Sequence, residues 1–326
     1  MMVRLRTVCL QKRSLVFPTD FIMIDSDNIS KKYGNVIALD GISLKVEKSE
    51  LFGLIGPDGA GKTTFFRIVT TLLLPDSGKM TVMGHDTVNK YIELRSNIGY
   101  MPGRFSLYQD LSVEENLNFY ATVFSTTVKE NYHLIRDIYK QIEPFRKRPA
   151  GKLSGGMKQK LALCCALIHA PDLIVLDEPT TGVDAVSRTE FWEMLKSLQK
   201  EGITILVSTP YMDEAMMCDR VALIQRGHIL HIDRPGHIIS GFGRKIYAVT
   251  GMNKFRLIQD LRSFNPVENV NPFGDSVHIT FAGDNYDGTI VAWLEEKGHS
   301  DVGIAPVEPG IEDVFLDLMS TEENER

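Results

Sequence analysis

One nine-residue stretch constrains the fold of this chain more than any other feature. Residues 56–64, called the phosphate loop below, match the pattern G-x-x-x-x-G-K-[ST] and follow an apolar run typical of a buried strand. The pattern predicts a strand, a glycine-rich turn and a helix whose N–H groups face phosphate oxygens. A plain structural turn is the alternative, and the flanking sequence argues against it. The predicted nucleotide-binding residues of the loop are Gly56, Pro57, Asp58, Gly59, Ala60, Gly61, Lys62, Thr63 and Thr64.

Two pairs of side chains have predicted tasks in phosphate chemistry. Within the loop, Lys62 is expected to neutralise the β and γ phosphates of a nucleotide, and the Thr63 hydroxyl to bind Mg²⁺. The carboxylates of Asp177 and Glu178 follow the apolar run 173–176, and open α/β sheets bind ligands at the carboxyl ends of strands. We therefore expect Asp177 to hold Mg²⁺ and Glu178 to orient or deprotonate the attacking water. A solvated turn is the alternative for this pair, and the phosphate loop in the same chain weakens it.

The order of predicted elements indicates the fold class. Strand-like runs alternate with helical patterns from residue 24 onwards, which predicts an α/β fold with a largely parallel sheet, here a P-loop NTPase core. We expect this domain to span 23–238, with a helical insertion over about 91–160. At 239–326 the predicted order β-α-β-β-α-β is that of a small α+β, ferredoxin-like accessory domain. Residues 1–22 are predicted to be a disordered extension, with Met23 as an alternative translation start.

Composition removes several classes of function. Hydrophobic residues make up 43% and charged residues 24% of the 326, as in globular proteins that fold in water. The formal charge of −6 argues against a dedicated nucleic-acid binder, whose surface is basic. No run of about 18 apolar residues occurs, so the chain is not expected to cross a bilayer by itself. The four cysteines lack paired or zinc-type spacing, which favours a reducing, cytoplasmic location.

A third motif narrows the choice among proteins with a phosphate loop. Residues 153–156, called the signature turn below, have the sequence Leu-Ser-Gly-Gly and open a predicted helix. On these motifs the chain resembles the ATP-binding subunits of ABC transporters over residues 23–233. The resemblance implies that Ser154, Gly155 and Gly156 face the γ-phosphate of ATP held by the opposite subunit. Two glycines and a hydroxyl at a helix N-terminus suit an anion, and a flexible helix entry is the alternative.

Further matches follow in the order found in that family. Tyr33 resembles the aromatic residue that stacks on adenine, and an exposed loop tyrosine is the alternative. The segment 179–184 resembles the D-loop, which implies that Asp184 passes signals across the dimer. Residues 100–108 resemble the loop that contacts the membrane subunit in transporters. The tail 307–315 resembles that of exporter-type subunits that pair with ABC-2 membrane proteins, and its apolar spacing also predicts a packing helix.

Two positions depart from the family pattern. The family normally has Gln where this chain has Gly103, and His where it has Pro210. Glycine has no side chain and proline has neither an imidazole nor an N–H, so the groups for ATP turnover are incomplete. Loss of one group that stabilises the transition state slows a reaction by roughly 10²–10³. The intact signature turn favours a heterodimer with a complete second ATP-binding subunit, because each site in the family combines two subunits.

One function and two rivals follow from the resemblance. We expect an ATP-binding and hydrolysing subunit that uses ATP and Mg²⁺, closes as a dimer and powers an ABC-2 type exporter. It would be peripheral on the cytoplasmic face of the membrane, through a permease subunit. A soluble ABC ATPase of the repair or translation type is one rival, but its usual coiled coils or second cassette are missing from this sequence. A non-hydrolysing ATP sensor is the other, which Gly103 and Pro210 favour and Glu178 opposes.

Overall fold

A computed structural model describes residues 21–104, 106–282 and 288–325 of the chain. Its strands, numbered along the chain, are β1 (Ile22–Tyr33), β2 (Val36–Glu47), β3 (Leu51–Ile55), β4 (Ser77–Val82), β5 (His85–Asp86), β6 (Ile98–Met101), β7 (Leu173–Asp177), β8 (Thr204–Thr209), β9 (Arg220–Gln225), β10 (His228–Asp233), β11 (Ile246–Thr250), β12 (Val267–Phe273), β13 (Ser276–Phe281) and β14 (Gly303–Val307). Its α-helices are α1 (Lys62–Val69), α2 (Tyr91–Arg95), α3 (Val113–Val123), α4 (Tyr132–Ile142), α5 (Gly155–Leu167), α6 (Ala185–Lys200), α7 (Pro235–Ser240), α8 (Lys254–Ser263), α9 (Thr289–Glu296) and α10 (Ile311–Glu325).

The central element is a six-stranded sheet in the order β10-β9-β3-β8-β7-β6. All neighbours are parallel except β10, which pairs antiparallel with β9. Both faces of this sheet are covered, because Leu173 and Val175 of β7 pack in one hydrophobic core and Ile174 and Leu176 in another. The continuous apolar runs of the sequence are therefore strands buried on two sides, and the predicted α/β fold is confirmed.

The register of the parallel strands brings four loops to one edge of the sheet. Ile55 at the end of β3 pairs with Thr209, and Asp177 at the end of β7 pairs with Ser208 of β8. Met101 at the end of β6 pairs with Leu176, the residue before Asp177 in β7. The phosphate loop and the loops after β6, β7 and β8 therefore lie side by side, at the edge where parallel α/β sheets place their ligands.

A second, antiparallel sheet in the order β2-β1-β4-β5 covers one face of the central sheet. Met23 and Ile24 of β1 share a core with Phe65 and Phe66 of α1. Strand β1 begins at Ile22, which pairs with Glu47. The predicted disordered extension 1–22 is therefore wrong at its last residue. Residues 1–20 of that extension lie outside the described residues.

Helices α3, α4 and α5 form the helical region beside the central sheet. The predicted range 91–160 needs correction, because it includes β6, which pairs with β7 as a core strand. A four-residue strand between α2 and a loop gives a weak sequence signal, and it is identified only by its pairing. A capping box begins α3: the Ser112 hydroxyl accepts from the backbone N–H of Glu115, whose carboxylate accepts from the Ser112 N–H.

The C-terminal residues form a third sheet, antiparallel, in the order β12-β13-β11-β14. The element order β11-α8-β12-β13-α9-β14 is the predicted β-α-β-β-α-β, with its own core of α8, α9 and strand residues. Helix α10 then packs Ile311, Val314 and Phe315 into the core that contains α5, β7 and β8. The last helix therefore joins this unit to the ATP-binding domain. Within the described residues, no helix has the length and apolar character needed to cross a membrane.

Candidate functional site

The phosphate loop links β3 to α1 through two positions that only glycine fits. A Cβ on Gly56 would lie 2.1 Å from the carbonyl oxygen of Ile224, because β9 passes directly behind the loop. Gly61 has a φ of +108° and a Cβ there would lie 2.4 Å from the Ala38 oxygen. Because both positions are glycine, the chain can curl tightly here and lead into α1, which begins at Lys62. The N–H groups of this curl are the predicted phosphate ligands.

The ammonium of Lys62 is buried and lies at the centre of the site. It donates to the carbonyl oxygens of Gly56 at 2.7 Å and Pro57 at 2.9 Å. It also lies 3.1 Å from Oε1 of Glu178, on the loop after β7. The cation predicted to bind phosphates and the carboxylate predicted to act on water are therefore in direct contact.

A hydrogen-bond relay fixes the two adjacent carboxylates. The buried Ser208 hydroxyl donates to Oδ1 of Asp177 at 2.7 Å, and the N–H of Glu178 donates to the same hydroxyl oxygen at 3.0 Å. Glu178 has a φ of +48°, in the left-handed region that non-glycine residues rarely adopt. This turn separates the two side chains, so that Asp177 stays buried while Glu178 is partly open.

The oxygen donors predicted for Mg²⁺ fit that ion. Thr63 is half-buried in the first turn of α1, which packs beside β7, the strand that ends at Asp177. Among the described residues, no cluster of three or more His, Cys, Asp or Glu could hold a metal by itself. Magnesium is commonly bound by one or two protein oxygens together with substrate phosphates, so one carboxylate and one hydroxyl are enough.

Tyr33 lies at the tip of the hairpin between β1 and β2, where it pairs with Val36. Its side chain is exposed, as are those of Val36 and Ile37. Strand β2 continues past the phosphate loop, where Ala38 lies against Gly61. The hairpin thus presents an exposed aromatic ring on a strand that touches the loop, and stacking on adenine stays a prediction.

The signature turn lies at the N-terminus of α5, where the Ser154 hydroxyl accepts from the N–H of Met157 at 3.4 Å. Ser154 and Gly155 are exposed. A Cβ on Gly155 would lie 3.5 Å from the oxygen of Gly182, and one on Gly156 would lie 2.8 Å from Oγ of Ser187. The turn therefore packs beside the segment 179–184 and the start of α6.

Asp184 ends the segment 179–184 as the N-cap of α6. Its Oδ1 accepts from the N–H of Ser187 at 3.0 Å. The backbone hydrogen bond from Ser187 lowers the pKa of the Asp184 carboxyl. The side chain thus has a structural task in addition to the signalling role that the resemblance implies.

Gly103 and Pro210 follow β6 and β8 at the same sheet edge. A Cβ on Gly103 would lie 3.1 Å from the carbonyl oxygen of Asp177, tighter than most such contacts. Gln109, the next glutamine along the chain, is exposed and packs against Gly151, so it does not replace the missing amide. Pro210 offers no donor to the site.

A cavity of about 540 Å³ extends from these loops towards the helical region. Its lining includes Gly103 and Glu178 from the site and the apolar side chains of Leu72, Phe124 and Cys165. Tyr100 of β6 also lines it, and burial, with a smaller contribution from the Asp177 charge, raises the pKa of its phenol to about 12. The cavity is therefore mostly apolar with a few polar groups on its wall.

Ser208 and Glu214 are two site residues that no local sequence pattern indicates. Ser208 lies in an apolar strand, two residues before Pro210. Its contact with Asp177 arises only through the register of β7 and β8. Glu214 lies in a 3-10 turn at 212–217 and is buried. Next to the acidic Asp213, a second carboxylate gives no sequence signal of burial, because burial depends on its partners from other elements.

Comparison with known proteins places this geometry among ATP-binding cassettes. The ABC transporter family model matches residues 39–181. The "Probable multidrug ABC transporter ATP-binding protein YbhF" of Escherichia coli (strain K12) is 39% identical over 82% of this chain, which spans 46% of that relative's length. The Nod factor export ATP-binding protein I of Sinorhizobium fredii is 34% identical over 92% of this chain and 87% of its own length. A dimeric, post-hydrolysis structure of the ATP-binding cassette MJ0796 with ADP and Pi is 25% identical with a TM-score of 0.59, over 65% of this chain and 98% of that one.

Proposed function

The chain belongs to the ATP-binding proteins of ABC transporters, and from that premise we propose that it binds and hydrolyses ATP to power a membrane exporter. The observation that carries the proposal is the 3.1 Å contact between Lys62 and Glu178 at the edge where the phosphate loop lies. Phosphate binding and water activation need groups of opposite charge within reach of one γ-phosphate. The contact supports the proposal, because it brings one group of each charge together beside the phosphate loop.

Each side chain has one proposed task in hydrolysis. Lys62 and the N–H groups of the phosphate loop bind the β and γ phosphates, and the ring of Tyr33 stacks on adenine. Thr63 and Asp177 hold Mg²⁺, which when bound neutralises charge on the phosphate oxygens. Glu178 orients the attacking water and accepts its proton. The Ser208 hydroxyl keeps Asp177 in place through its 2.7 Å bond.

We propose that the active form is a head-to-tail dimer closed on two nucleotides. In support, Ser154 and Gly155 are exposed at a helix N-terminus, and Gly155 packs beside Gly182 of the segment 179–184. A helix N-terminus with free N–H groups suits an anion brought by another molecule. The similar cassette MJ0796 is dimeric.

Gly103 and Pro210 are proposed to slow the site that this chain forms with its own Lys62 and Glu178. A heterodimer with a complete second subunit would then hold one slow site and one competent site, the latter using Ser154 of this chain. A slow homodimer is the alternative. In either assembly the loss of one stabilising group costs roughly 10²–10³ in rate.

The proposed partner in the membrane is an ABC-2 type permease, which would keep the chain peripheral on the cytoplasmic face. The 540 Å³ cavity beside the loop after β6 supports this, because its apolar wall offers a concave seat for a permease segment. The relatives named for multidrug transport and Nod factor export support an exporter.

The test of this function is steady-state ATPase of the full chain, alone and reconstituted with its permease. Lys62→Ala should remove turnover at its own site, while Lys196→Ala, which removes an ion-paired lysine of α6, should leave it unchanged. In a heterodimer, Ser154→Arg should nearly silence the complex, whereas Lys62→Ala should leave substantial turnover. Equal and complete loss from both would indicate coupled or identical sites. No ATP binding by the wild-type chain would reject the proposal.

A further inference from the structure

A buried carboxylate outside the predicted site connects the loops that carry it. Glu214 is 3% exposed and lies in the 3-10 turn after β8. Its Oε2 accepts from the hydroxyl of Thr180 at 3.0 Å and from the hydroxyl of Thr209, and both threonines are fully buried. One oxygen therefore joins the loop after β7 to the end of β8.

A single guanidinium faces the other oxygen of this carboxylate. Nε of Arg188, in the first turns of α6, lies 3.6 Å from Oε1 of Glu214, and within the described residues neither atom has a hydrogen-bond partner. The same guanidinium lies over the ring of Tyr211 at 4.3 Å and 3.8 Å from Asp213. The buried negative charge is therefore matched by a cation that extends from the helix after segment 179–184.

The partners of Glu214 are next to the groups of the proposed reaction. Thr180 is two residues after Glu178, and its loop is closed by the bond from the Thr181 N–H to the Glu178 oxygen at 3.2 Å. Thr209 immediately precedes Pro210, and its carbonyl accepts from the N–H of Gly56 at 3.3 Å. A shift of Glu214 would therefore be transmitted to the water-activating loop on one side and to the phosphate loop on the other.

We propose that Glu214 is a positioning residue for ATP hydrolysis, a role that rests on the proposed function. It holds Thr180 and Thr209 at a fixed separation, and so fixes Glu178 relative to the phosphate loop. This chain needs such an anchor, because Pro210 has no side-chain donor and no N–H to hold the loop after β8. One oxygen of the carboxylate accepts both hydroxyls at once, and the guanidinium of Arg188, 3.6 Å from the other oxygen, favours one orientation of the side chain.

The predicted variants separate positioning from general stability. Glu214→Gln keeps the size of the side chain but weakens its attraction to Arg188, and kcat should fall about 10- to 100-fold, the usual cost of misplacing a reacting group by about 1 Å. The Kd for ATP and KM should stay within about twofold, because the phosphate contacts are not removed. Thr180→Val should lower kcat in the same way, and Thr180→Ser, which restores the hydroxyl, should return it to the wild-type value.

Two controls remove equivalent buried interactions at the opposite edge of the sheet. Glu50→Gln weakens the ion pair between the buried Glu50 and Arg220, which lie 3.2 Å apart. Thr204→Val removes the hydroxyl that accepts from the Ser49 N–H. Both should lower the melting temperature while kcat stays at the wild-type value. Hydrogen exchange of peptides covering 178–184 should rise in Glu214→Gln and stay unchanged in both controls.

The outcomes distinguish this proposal from the function on which it rests. A wild-type chain that binds ATP but never hydrolyses it, alone or with its permease, would reject the hydrolytic function and the role of Glu214 together. Wild-type hydrolysis with an unchanged kcat in Glu214→Gln would reject only the positioning role. If Glu50→Gln lowers kcat as much as Glu214→Gln does, Glu214 acts through stability alone. The same conclusion follows if Thr180→Ser has the low kcat of Thr180→Val. If Glu214→Gln does not fold, the Thr180 pair decides the question.

Discussion

The phosphate loop and the loops after β6 and β8 lie at the same edge of one sheet, yet they differ in what they offer a nucleotide. The phosphate loop matches its pattern at every position, and Lys62 in it makes three polar contacts within 3.1 Å. The other two loops have Gly103 and Pro210, which offer no side-chain donor. The difference teaches that the fold places a loop correctly whether or not its side chains can do chemistry, so ATP binding and ATP turnover are separable properties here.

The largest expected effect is the loss of nucleotide binding in Lys62→Ala. Removing a buried cation that is bonded to the loop and faces the phosphates should weaken ATP affinity about 1,000-fold. A fluorescent ATP analogue, titrated with Lys196→Ala as the matched control, measures this. An unchanged ATP affinity in Lys62→Ala would contradict the claim that the phosphate loop binds the nucleotide.

A slightly smaller effect is expected on turnover in Glu178→Gln. The amide cannot accept a proton from water, so kcat should fall about 100- to 1,000-fold while ATP binding is retained. Light scattering with ATP and Mg²⁺ should show an ATP-loaded dimer if the chain pairs with itself. Glu190→Gln, an exposed carboxylate of α6 paired with Lys160, should behave as wild type. A normal kcat in Glu178→Gln would show that another group activates water.

Restoring an imidazole should raise turnover. In Pro210→His the side chain could stabilise charge in the transition state, and kcat should increase about 10- to 100-fold with an unchanged Kd for ATP. Pro210→Ala tests whether the gain comes from the imidazole or from release of the proline constraint. Equal rates for His and Ala variants would attribute the change to the backbone.

Gly103→Gln should give the smallest gain. The new amide could contact the attacking water, but its Cβ would lie 3.1 Å from the Asp177 oxygen, so the loop must shift to admit it. We expect an increase in kcat of about tenfold at most. Gly103→Ala, which adds only the Cβ, should lower kcat below wild type. If both variants raise kcat, the close approach to Asp177 carries no cost.

The parts of the molecule that the sequence predicts are those in which one contiguous stretch contains the whole signal. The phosphate loop is of this kind, because the bonds of Lys62 to Gly56 and Pro57 join residues a few positions apart. The strand ending at Asp177 is of this kind because its apolar run is contiguous. The contact of Ser208 with Asp177 and the burial of Glu214 depend on strand register and on partners in other elements. Helix α10 shows the same limit: its apolar spacing predicts a packed face, but its packing against the ATP-binding core depends on tertiary contacts.

Strand β6 is an element of the fold that local sequence patterns do not predict. Its four residues, 98–101, lie between a short helix and a loop, and no periodicity can be measured over so few positions. Pairing with β7 decides their conformation. Since this strand carries Gly103 to the site, the placement of the altered loop rests on long-range pairing.

The most direct test of the account is a single-turnover experiment on the wild-type chain and its Pro210→His variant. Radiolabelled ATP with Mg²⁺ is mixed with excess protein, and bound ATP and ADP are separated over time. The account predicts that both proteins bind ATP equally well, and that bound ATP persists about 10- to 100-fold longer in the wild type. Conversion of bound ATP to ADP at the same rate in both proteins would contradict the claim that binding is complete while turnover is impaired.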